Sequence, residues 1–599
     1  MLQRFLYLLK TYLLTMLIFI IAKVVFMLYN TTQVFTGHDI FAVLYNGLSL
    51  DFSTSLYIII VPFLVCTVSI WLGGIKTLRV ILRAYYLLIA IVMTLAFVAD
   101  TSLYEFWLFK LDSTCLQYLE TPTEAMASVS MGYIVIRLIV IVIVSIIVWW
   151  AYTHPRWRIT LSSHRITESV VALLCIPVII IGIRGGLGES TTNIGQVYFS
   201  QNQFLNHSAV NPVFNFIDSF DKADADYSFM SDEECTKLMS DLYNTQSIDC
   251  DTLLNTQNPN IIIILLEGCG GVFTEIGGRT DITPNLNKLT KEGIYFTNCY
   301  GNSWRTDRGT VCALSGYPSF PTMSVMKIPS KSRSLPNIAS TLQKERGYKT
   351  SYLYGGDINF TNMRSYLISG GFENLTWMKD YSADEQKTAQ WGVRDDITFK
   401  TLYQMATNAG QPFLIGYSTL SSHVPWDVPI HHFDDEVINS FYYLDQCIGD
   451  FINNFRKSKA WKNTLIVMLP DHGIPHNGID ESSSLMNHIP MIWVGGAVKE
   501  PRQIDKVCNQ TDLPATLLGQ LGISHDEFSF SRDVLSSTYT RPFATHTFDD
   551  GFSMVDSTSF VCYDFVSNKV IAEEGRKNEQ LLTLGKAILQ AASKDFNNR

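Results

Sequence analysis

Hydrophobic positions follow two different patterns along this chain. Up to about residue 185 they fall in long unbroken runs, and beyond it in short runs set between polar turns and amphipathic stretches. Five early runs, Leu6–Leu28, Leu50–Leu72, Val80–Val98, Tyr133–Trp150 and Ser169–Gly185, come near the ~20 residues that cross a hydrocarbon core. The first is flanked by Arg4 and Lys10 in the manner of a signal peptide. No small-residue cleavage site follows it and four more runs do, which predicts an uncleaved helix. The aromatic, amphipathic segment TSLYEFWLFKLDSTCLQYLETP (101–122) predicts either a helix lying in the outer membrane interface or a loop packed on the bundle.

After residue 257 the pattern becomes that of a packed α/β domain. Ile261–Leu266 has no polar residue, is rich in β-branched side chains and follows Pro259, which predicts a strand buried on both faces of a mostly parallel sheet. It ends on Glu267-Gly268. Thr464–Leu469 repeats the pattern and ends in Pro470-Asp471-His472-Gly473, while Phe413–Tyr417 and Ile489–Val494 predict two further buried strands. TPNLNKLTKEG predicts a helix with Pro284 in its first turn, and NQTDLPATLLGQLGI another, with Asp512 in a structural role. The segment around Ser559–Val566 predicts edge strands, and a docked helix starts near Asn578. The resulting division is a five-helix transmembrane bundle over 1–185, a polar linker with short helices over 186–257, and the α/β domain over 258–599.

Charge adds orientation. Lys76, Arg79 and Arg83 lie between the second and third runs, and Arg156, Arg158 and Arg165 between the fourth and fifth, whereas Asn30–Ser49 has no Lys or Arg. This bias predicts a cytoplasmic N-terminus, and five crossings then place the outer half on the extracytoplasmic side. The net charge of −10, with no basic block, excludes nucleic acid as a partner. The 11 cysteines show no CxxC or zinc-ribbon spacing, which argues against structural zinc.

Candidate chemistry sits where the buried strands end, since open α/β sheets place ligands beyond the carboxyl ends of their strands. Glu267 ends one such strand and Asp471-His472 another. Carboxylate and imidazole together suit a divalent ion such as Mn²⁺, Mg²⁺ or Zn²⁺. Taken singly each residue has a plain reading: Glu267 ends a core strand, Thr306 caps a helix before DRGT, and His423, His431 and His432 are loop histidines.

Together the series resembles a known superfamily. Glu267 after a strand, Thr306 ten residues before the glycine of LSGYP, His423 in SSHVPW and Asp471-His472-Gly473 resemble the alkaline phosphatase/sulfatase superfamily. With five preceding spans the chain looks like its membrane-anchored branch, the lipoteichoic acid synthases and phosphoglycerol transferases, and more distantly the lipid A phosphoethanolamine transferases. The resemblance implies a sulfatase-like fold and one divalent ion, Mn²⁺ foremost, held by Glu267, Thr306, Asp471 and His472. It also implies Thr306 as nucleophile and His423 as acid or base. Sulfatases carry Cys or Ser at the position of Thr306 and oxidise it to an aldehyde that threonine cannot form, which argues against sulfatase activity. Thr310, the other hydroxyl, falls where sulfatases carry Arg. The segment YGGDINFTNMR resembles the headgroup-binding segment, keeping Asp357 and Arg364, with Asn362 where the family has Trp and Gly355 where it has His; His476 stands at the place of a family Ser. His488 either lines the site or is structural.

The activity implied is transfer of phosphoglycerol from a membrane phospholipid to an extracytoplasmic glycan or polyol-phosphate polymer in a bacterial cell envelope. The alternatives are phosphoethanolamine transfer to lipid A or another glycan, phosphodiester hydrolysis, and a catalytically dead binding module. Phosphoethanolamine transferases are disulfide-rich, and by that likeness Cys235 and Cys250 are an expected pair.

Overall fold

The computed structural model describes residues 2–30, 35–107, 110–111, 115, 131–154, 160–200, 202–221, 226–243, 251–549 and 551–599. The chain divides into two compact units, Met1–Lys222 and Ala223–Arg599. In the first, the helices Leu2–Tyr29, Gly37–Leu72, Lys76–Trp107, Met131–Thr153 and Arg165–Arg184 account for the five apolar runs. Each contains a stretch long and apolar enough to cross a membrane. The second begins before its apolar run because Thr36 and Asp39 form a reciprocal capping box there. The third runs past its apolar core to Trp107, so the start of the 101–122 segment continues a spanning helix and is not a separate interfacial one. Most of the rest of that segment lies outside the described residues.

Charged groups inside this unit are paired, as an apolar surround requires. Lys23 Nζ lies 2.8 Å from Asp51 Oδ2 and donates to the Gly47 carbonyl at 3.0 Å. Asn211 Nδ2 donates to the other Asp51 oxygen at 2.9 Å. Asp100 pairs with Lys110 and accepts the Leu111 N–H, and Asn215 Nδ2 donates to the Leu111 carbonyl. The bonds of Asn211 and Asn215 bind the short helix Pro212–Asp218 to the bundle, and a hydrogen bond between His207 Nδ1 and Tyr104 Oη at 2.9 Å binds the helix Gln203–Ala209. The start of the stretch expected to be linker is therefore part of the membrane unit.

The second unit is built on a nine-stranded mixed sheet. Its strands are β1 (Asn260–Leu266), β2 (Ile294–Tyr300), β3 (Lys349–Tyr354), β4 (Asn374–Trp377), β5 (Phe413–Ser418), β6 (Thr464–Pro470), β7 (His488–Val494), β8 (Arg502–Ile504) and β9 (Cys508–Asn509). The order is β4-β3-β5-β1-β6-β7-β2-β8, with β9 beside β2. From β4 to β6 every pairing is parallel, while β7 runs antiparallel to both β6 and β2. Every residue of β1 and of β6 is buried, in keeping with central strands covered on both faces. The register Leu266↔Pro470 makes the next residues on the two strands, Glu267 and Asp471, neighbours at one sheet edge.

The C-terminal strands form a sheet of their own. β10 (Phe543–Phe548), β11 (Gly551–Asp556), β12 (Ser559–Asp564) and β13 (Lys569–Gly575) make a four-stranded antiparallel meander in place of the expected edge strands. Hairpin loops this short let consecutive strands pair with each other before they reach the central sheet. The helix Glu579–Asn597 packs on β11. Cys235 donates its thiol to the Ala587 carbonyl in that helix, and the expected pairing with Cys250 lies outside the described residues.

Asp512 is structural, as expected. Its carboxylate takes Arg532 Nε and Nη2 at 3.1 and 2.8 Å and accepts the Asn509 N–H, all in a fully buried setting. Arg532→Met should destabilise the outer domain by about 3 kcal/mol, since it strands a buried carboxylate. The double variant Arg532→Met/Asp512→Asn should recover part of that loss. Denaturant unfolding of the full chain in detergent measures both, and equal stability of wild type and Arg532→Met would contradict the assignment.

Candidate functional site

Glu267, Asp471 and His472 are buried together where β1 and β6 end, with ligand atoms all within 4.8 Å of one another. Asp471 Oδ1 accepts the N–H groups of Gly268 and His472 at 3.0 and 2.9 Å, which leaves Oδ2 to face the cluster. His472 Nδ1 lies 2.9 Å from the Gly473 carbonyl. A carbonyl only accepts, so Nδ1 carries the proton and Nε2 is the ligating nitrogen. That Nε2 lies 3.4 Å from Glu267 Oε1 and 3.7 Å from Asp471 Oδ2.

Electrostatics gives the same picture. Burial and the charge of Glu267 push the Asp471 carboxyl up to about 7. Burial disfavours a charged His472, yet its two carboxylate neighbours outweigh it and raise the imidazole to about 10. Burial also opposes ionisation of Glu267, but His472 and His423 hold it down at about 2. Two buried carboxylates facing one imidazole concentrate negative charge that a cation would balance. The donor set of two carboxylates, one imidazole and a hydroxyl fits a divalent ion.

The hydroxyl comes from Thr306. It is the first residue of the helix Thr306–Ser315, whose N-cap is Arg305, so Thr306 does not cap. Its Oγ1 donates instead to Glu267 Oε2 at 3.0 Å. Thr310, one turn on, is wholly buried and its hydroxyl finds no hydrogen-bond partner. Gly309 lets the helix approach the cluster, because a Cβ there would lie 2.0 Å from the Asp471 carbonyl oxygen. Gly316, the glycine of LSGYP, ends the helix at φ 60°, a left-handed conformation that favours glycine.

His423 stands in the turn after β5, and that turn is tied to the cluster. Thr419 Oγ1 accepts the Glu267 N–H at 2.9 Å, and Ser422 Oγ donates to the Glu267 carbonyl at 2.6 Å. From below, the buried carboxylate of Asp395 accepts the N–H groups of Leu420 and Ser421. His423 Nδ1 donates to the Val424 carbonyl at 2.8 Å, leaving Nε2 for proton transfer. Trp391 packs 4.5 Å from the imidazole and donates its indole N–H to the same carbonyl.

The headgroup residues divide. Asp357 and Arg364 are brought close by a turn in which Thr361 and Asn362 adopt left-handed φ of 54° and 63°. Burial pushes the Arg364 guanidinium down, Asp357 and Asp380 oppose that shift, and Arg364 Nε is buried without a partner. Tyr354, the last residue of β3, links this turn to the cluster. Burial and then the charges of Glu267, Asp471 and Asp357 push its phenol up. Asn362 turns its amide to the Lys327 carbonyl at 3.2 Å. His476 Nε2 donates to the Asp435 carboxylate at 2.9 Å and its ring lies edge-on to Phe273, partners the structure gives it where a pocket role was expected. His488 Nε2 donates to the Thr297 carbonyl and the ring stacks on Tyr300.

Thr419, Ser422, Asp395, Tyr354 and Trp391 carried no signal in the sequence. Single polar or aromatic residues at strand ends look alike until the sheet order is known. Gly309 was visible within DRGT, but its reason, the Asp471 backbone, is 162 residues away in the chain.

The wild-type chain should take up one Mn²⁺ ion, and Asp471→Asn should reduce its affinity at least about tenfold. Ligation needs a neutral His472, and the carboxylates beside it favour its proton. Ion uptake should therefore release a proton, and affinity should rise as pH rises from about 6 to about 8. Titration calorimetry in buffers of different ionisation heat measures both. Binding that neither depends on pH nor weakens in Asp471→Asn would exclude this ligand set.

Residues 259–523 match the sulfatase family. The chain is 26% identical over 317 residues to lipoteichoic acid synthase 2 of Bacillus subtilis, covering 47% of this chain and 48% of that one. It is 23% identical over 309 residues to phosphoglycerol transferase I of Xanthomonas campestris pv. campestris, covering 46% and 43%. The chain thus spans about half the length of the curated relatives it matches. Among solved structures it is similar to a protein in the alkaline phosphatase superfamily from Vibrio parahaemolyticus, with a TM-score of 0.54 and 26% identity over 62% of this chain and 98% of that one. The lipoteichoic acid synthase LtaP from Listeria monocytogenes shares the fold, with a TM-score of 0.50 at 18% identity over 62% of this chain and 99% of that one. By the matched span and the shared architecture, the second unit of this chain is a sulfatase-like domain with the alkaline phosphatase superfamily fold.

Proposed function

We propose that this chain is a multi-pass protein of a bacterial cell membrane whose extracytoplasmic domain transfers a phosphoglycerol headgroup from a membrane phospholipid to a glycan or polyol-phosphate acceptor. The observation that carries this reading is the Thr306 hydroxyl, 3.0 Å from Glu267 at the start of a helix beside Asp471 and His472. The names of the relatives, lipoteichoic acid synthase and phosphoglycerol transferase, support it. The charge bias of the loops in the membrane half supports the placement outside.

A divalent ion held by Glu267, Thr306, Asp471 and His472 would neutralise phosphoryl charge and lower the pKa of the threonine hydroxyl. The Thr306 hydroxyl gives up its proton to solvent, its Oγ attacks phosphorus in line, and the bond from phosphorus to the diacylglycerol oxygen breaks. His423, with its Nδ1–H engaged by the Val424 carbonyl, gives a proton carried on Nε2 to that leaving oxygen and is left neutral. The N–H groups at the start of the Thr306–Ser315 helix favour the anionic phospho-threonine. An acceptor hydroxyl then gives its proton back to His423 and displaces Thr306. Asp357 and Arg364 orient the headgroup, with Arg364 offering a partnerless buried Nε to an anionic or hydroxyl oxygen.

One observation favours a second reading, transfer of phosphoethanolamine. A Cβ at Gly355 would lie 2.5 Å from the Val393 carbonyl, so no histidine fits where the resembled headgroup segment has one. Asn362, in place of a Trp, is turned toward Lys327. The pocket that clasps glycerol in that segment is therefore built differently here.

Thr306→Ala should fold and bind metal, and should lower turnover by about three powers of ten or more. Thr310→Ala removes only a buried, partnerless hydroxyl and should remain active. Each purified full-length variant is incubated with phospholipid and its peptides are weighed by mass spectrometry. The mass added to Thr306 identifies phosphoglycerol or phosphoethanolamine. An adduct that persists in Thr306→Ala, or turnover with no adduct on any variant, would refute the covalent route.

A further inference from the structure

The outer domain buries nearly all of its large apolar side chains. Among its described residues the exposed ones are Phe360, Val424, Val566 and Ile571. Two of these four lie by the candidate acid His423, Val424 beside it in the chain and Phe360 through the Trp391 ring that packs on it. The Phe360 ring, 40% exposed, meets the Trp391 ring edge-on at 5.9 Å. Val424, 48% exposed, is the residue after His423, and its carbonyl takes both the His423 and the Trp391 N–H. Exposed Pro425 and half-buried Trp426 continue the edge. Trp426 donates its N–H to the His423 carbonyl at 2.9 Å and sits at φ 61°. A bulky residue in that left-handed region is an outlier, and such outliers gather at functional sites and ligand clamps.

The two flanks of the site therefore differ in chemistry. The turn carrying Asp357 and Arg364 presents charge, with the Arg364 Nε free for a ligand. Around His423 the side chains are aromatic and aliphatic. A phosphodiester with two polar ends needs no such asymmetry. A glycerophospholipid needs it, because its headgroup is polar while its leaving group, a diacylglycerol, brings hydrocarbon to within a glycerol backbone of the reacting phosphorus. His423 is the group placed to protonate that leaving oxygen, so the surface next to it is where the glyceride has to lie. With its indole N–H already bonded, Trp391 presents an apolar face, which suits the boundary between headgroups and acyl chains. The same chain carries five helices of membrane-spanning length, so a bilayer is at hand.

We propose that Phe360, Trp391, Val424 and Trp426 form an apolar rim that receives the diacylglycerol part of a membrane phospholipid while its phosphodiester reacts at Thr306. The inference rests on the reading of the donor as a lipid phosphodiester. It adds the residues that distinguish a lipid from a water-soluble diester.

The test uses the full chain in detergent with two substrates. One is phosphatidylglycerol or phosphatidylethanolamine in mixed micelles, read by diacylglycerol release without acceptor. The other is bis(p-nitrophenyl) phosphate, a soluble diester with no acyl chain. Phe360→Ser/Val424→Ser changes only exposed side chains and keeps the Val424 carbonyl. Its kcat/KM for the phospholipid should fall at least about tenfold, chiefly through KM, while the soluble diester stays within about twofold. Phe360→Leu/Val424→Leu should keep lipid turnover within about threefold of wild type. Equal losses on both substrates, or no loss on the phospholipid, overturn the rim alone. A loss seen only when a glycan acceptor is added does the same, because the rim would then serve the acceptor. A wild type that cleaves the soluble diester but neither phospholipid overturns the lipid reading and the rim with it.

Discussion

The outer domain depends on a concentration of negative charge that its own sheet creates. Parallel pairing of β1 with β6 in the register Leu266↔Pro470 brings Glu267 and Asp471 out side by side, both buried. Like charges at such a distance are costly in a low-dielectric setting unless a proton or a cation lies between them. The surrounding bonds leave the carboxylates in that position. Asp471 Oδ1 is held by two backbone N–H groups, Glu267 is gripped through its own backbone by Thr419 and Ser422, and His472 is fixed by the Gly473 carbonyl. The charge is thus an intended feature of the fold, set up to be answered by a ligand.

Other elements are arranged around it by close approach. The Thr306–Ser315 helix reaches the cluster only because Gly309 has no side chain to strike the Asp471 backbone. This approach carries the Thr306 hydroxyl to Glu267 and aims the N–H groups of the first helical turn at the same place. Gln510 donates to the carbonyls of Pro470 and Asp471, so the end of β6 is held by side-chain bonds as well as by its sheet partners. Asp395 does the equivalent for the His423 turn, and burial pushes its carboxyl up to about 6. Supports of this kind keep a site within the few tenths of an ångström that in-line transfer demands.

The membrane unit solves a related electrostatic problem in the opposite way. Lys23 with Asp51 and Lys110 with Asp100 are complete pairs, their remaining oxygens satisfied by Asn211 and by the Leu111 N–H. These two pairs are complete in themselves, and they act as fasteners for a helix that follows the last span. In the outer domain the acids exceed the bases at the cluster, and that imbalance is the mark of chemistry.

Much of this was legible in the chain itself. Five spans, the two buried strands and the acids at their ends follow from hydrophobic period and length, because a residue facing lipid or a sheet interior must be apolar whatever its neighbours are. The choice of Thr306 over Thr310 rested on resemblance; in the structure the Thr306 hydroxyl donates to Glu267 and the Thr310 hydroxyl is buried without a partner. Other features depended on groups far apart in sequence meeting across the sheet. The turn from Thr419 to His423 locks onto Glu267, Asp395 supports it, and Trp391 joins that turn to the Asp357–Arg364 loop through Phe360. The partner of His476 is a further case, since Asp435, 41 residues upstream, holds its ring. Local pattern determines which faces are buried. Only the order and register of β5, β1 and β6 decide which polar residues those buried faces bring within reach of one another.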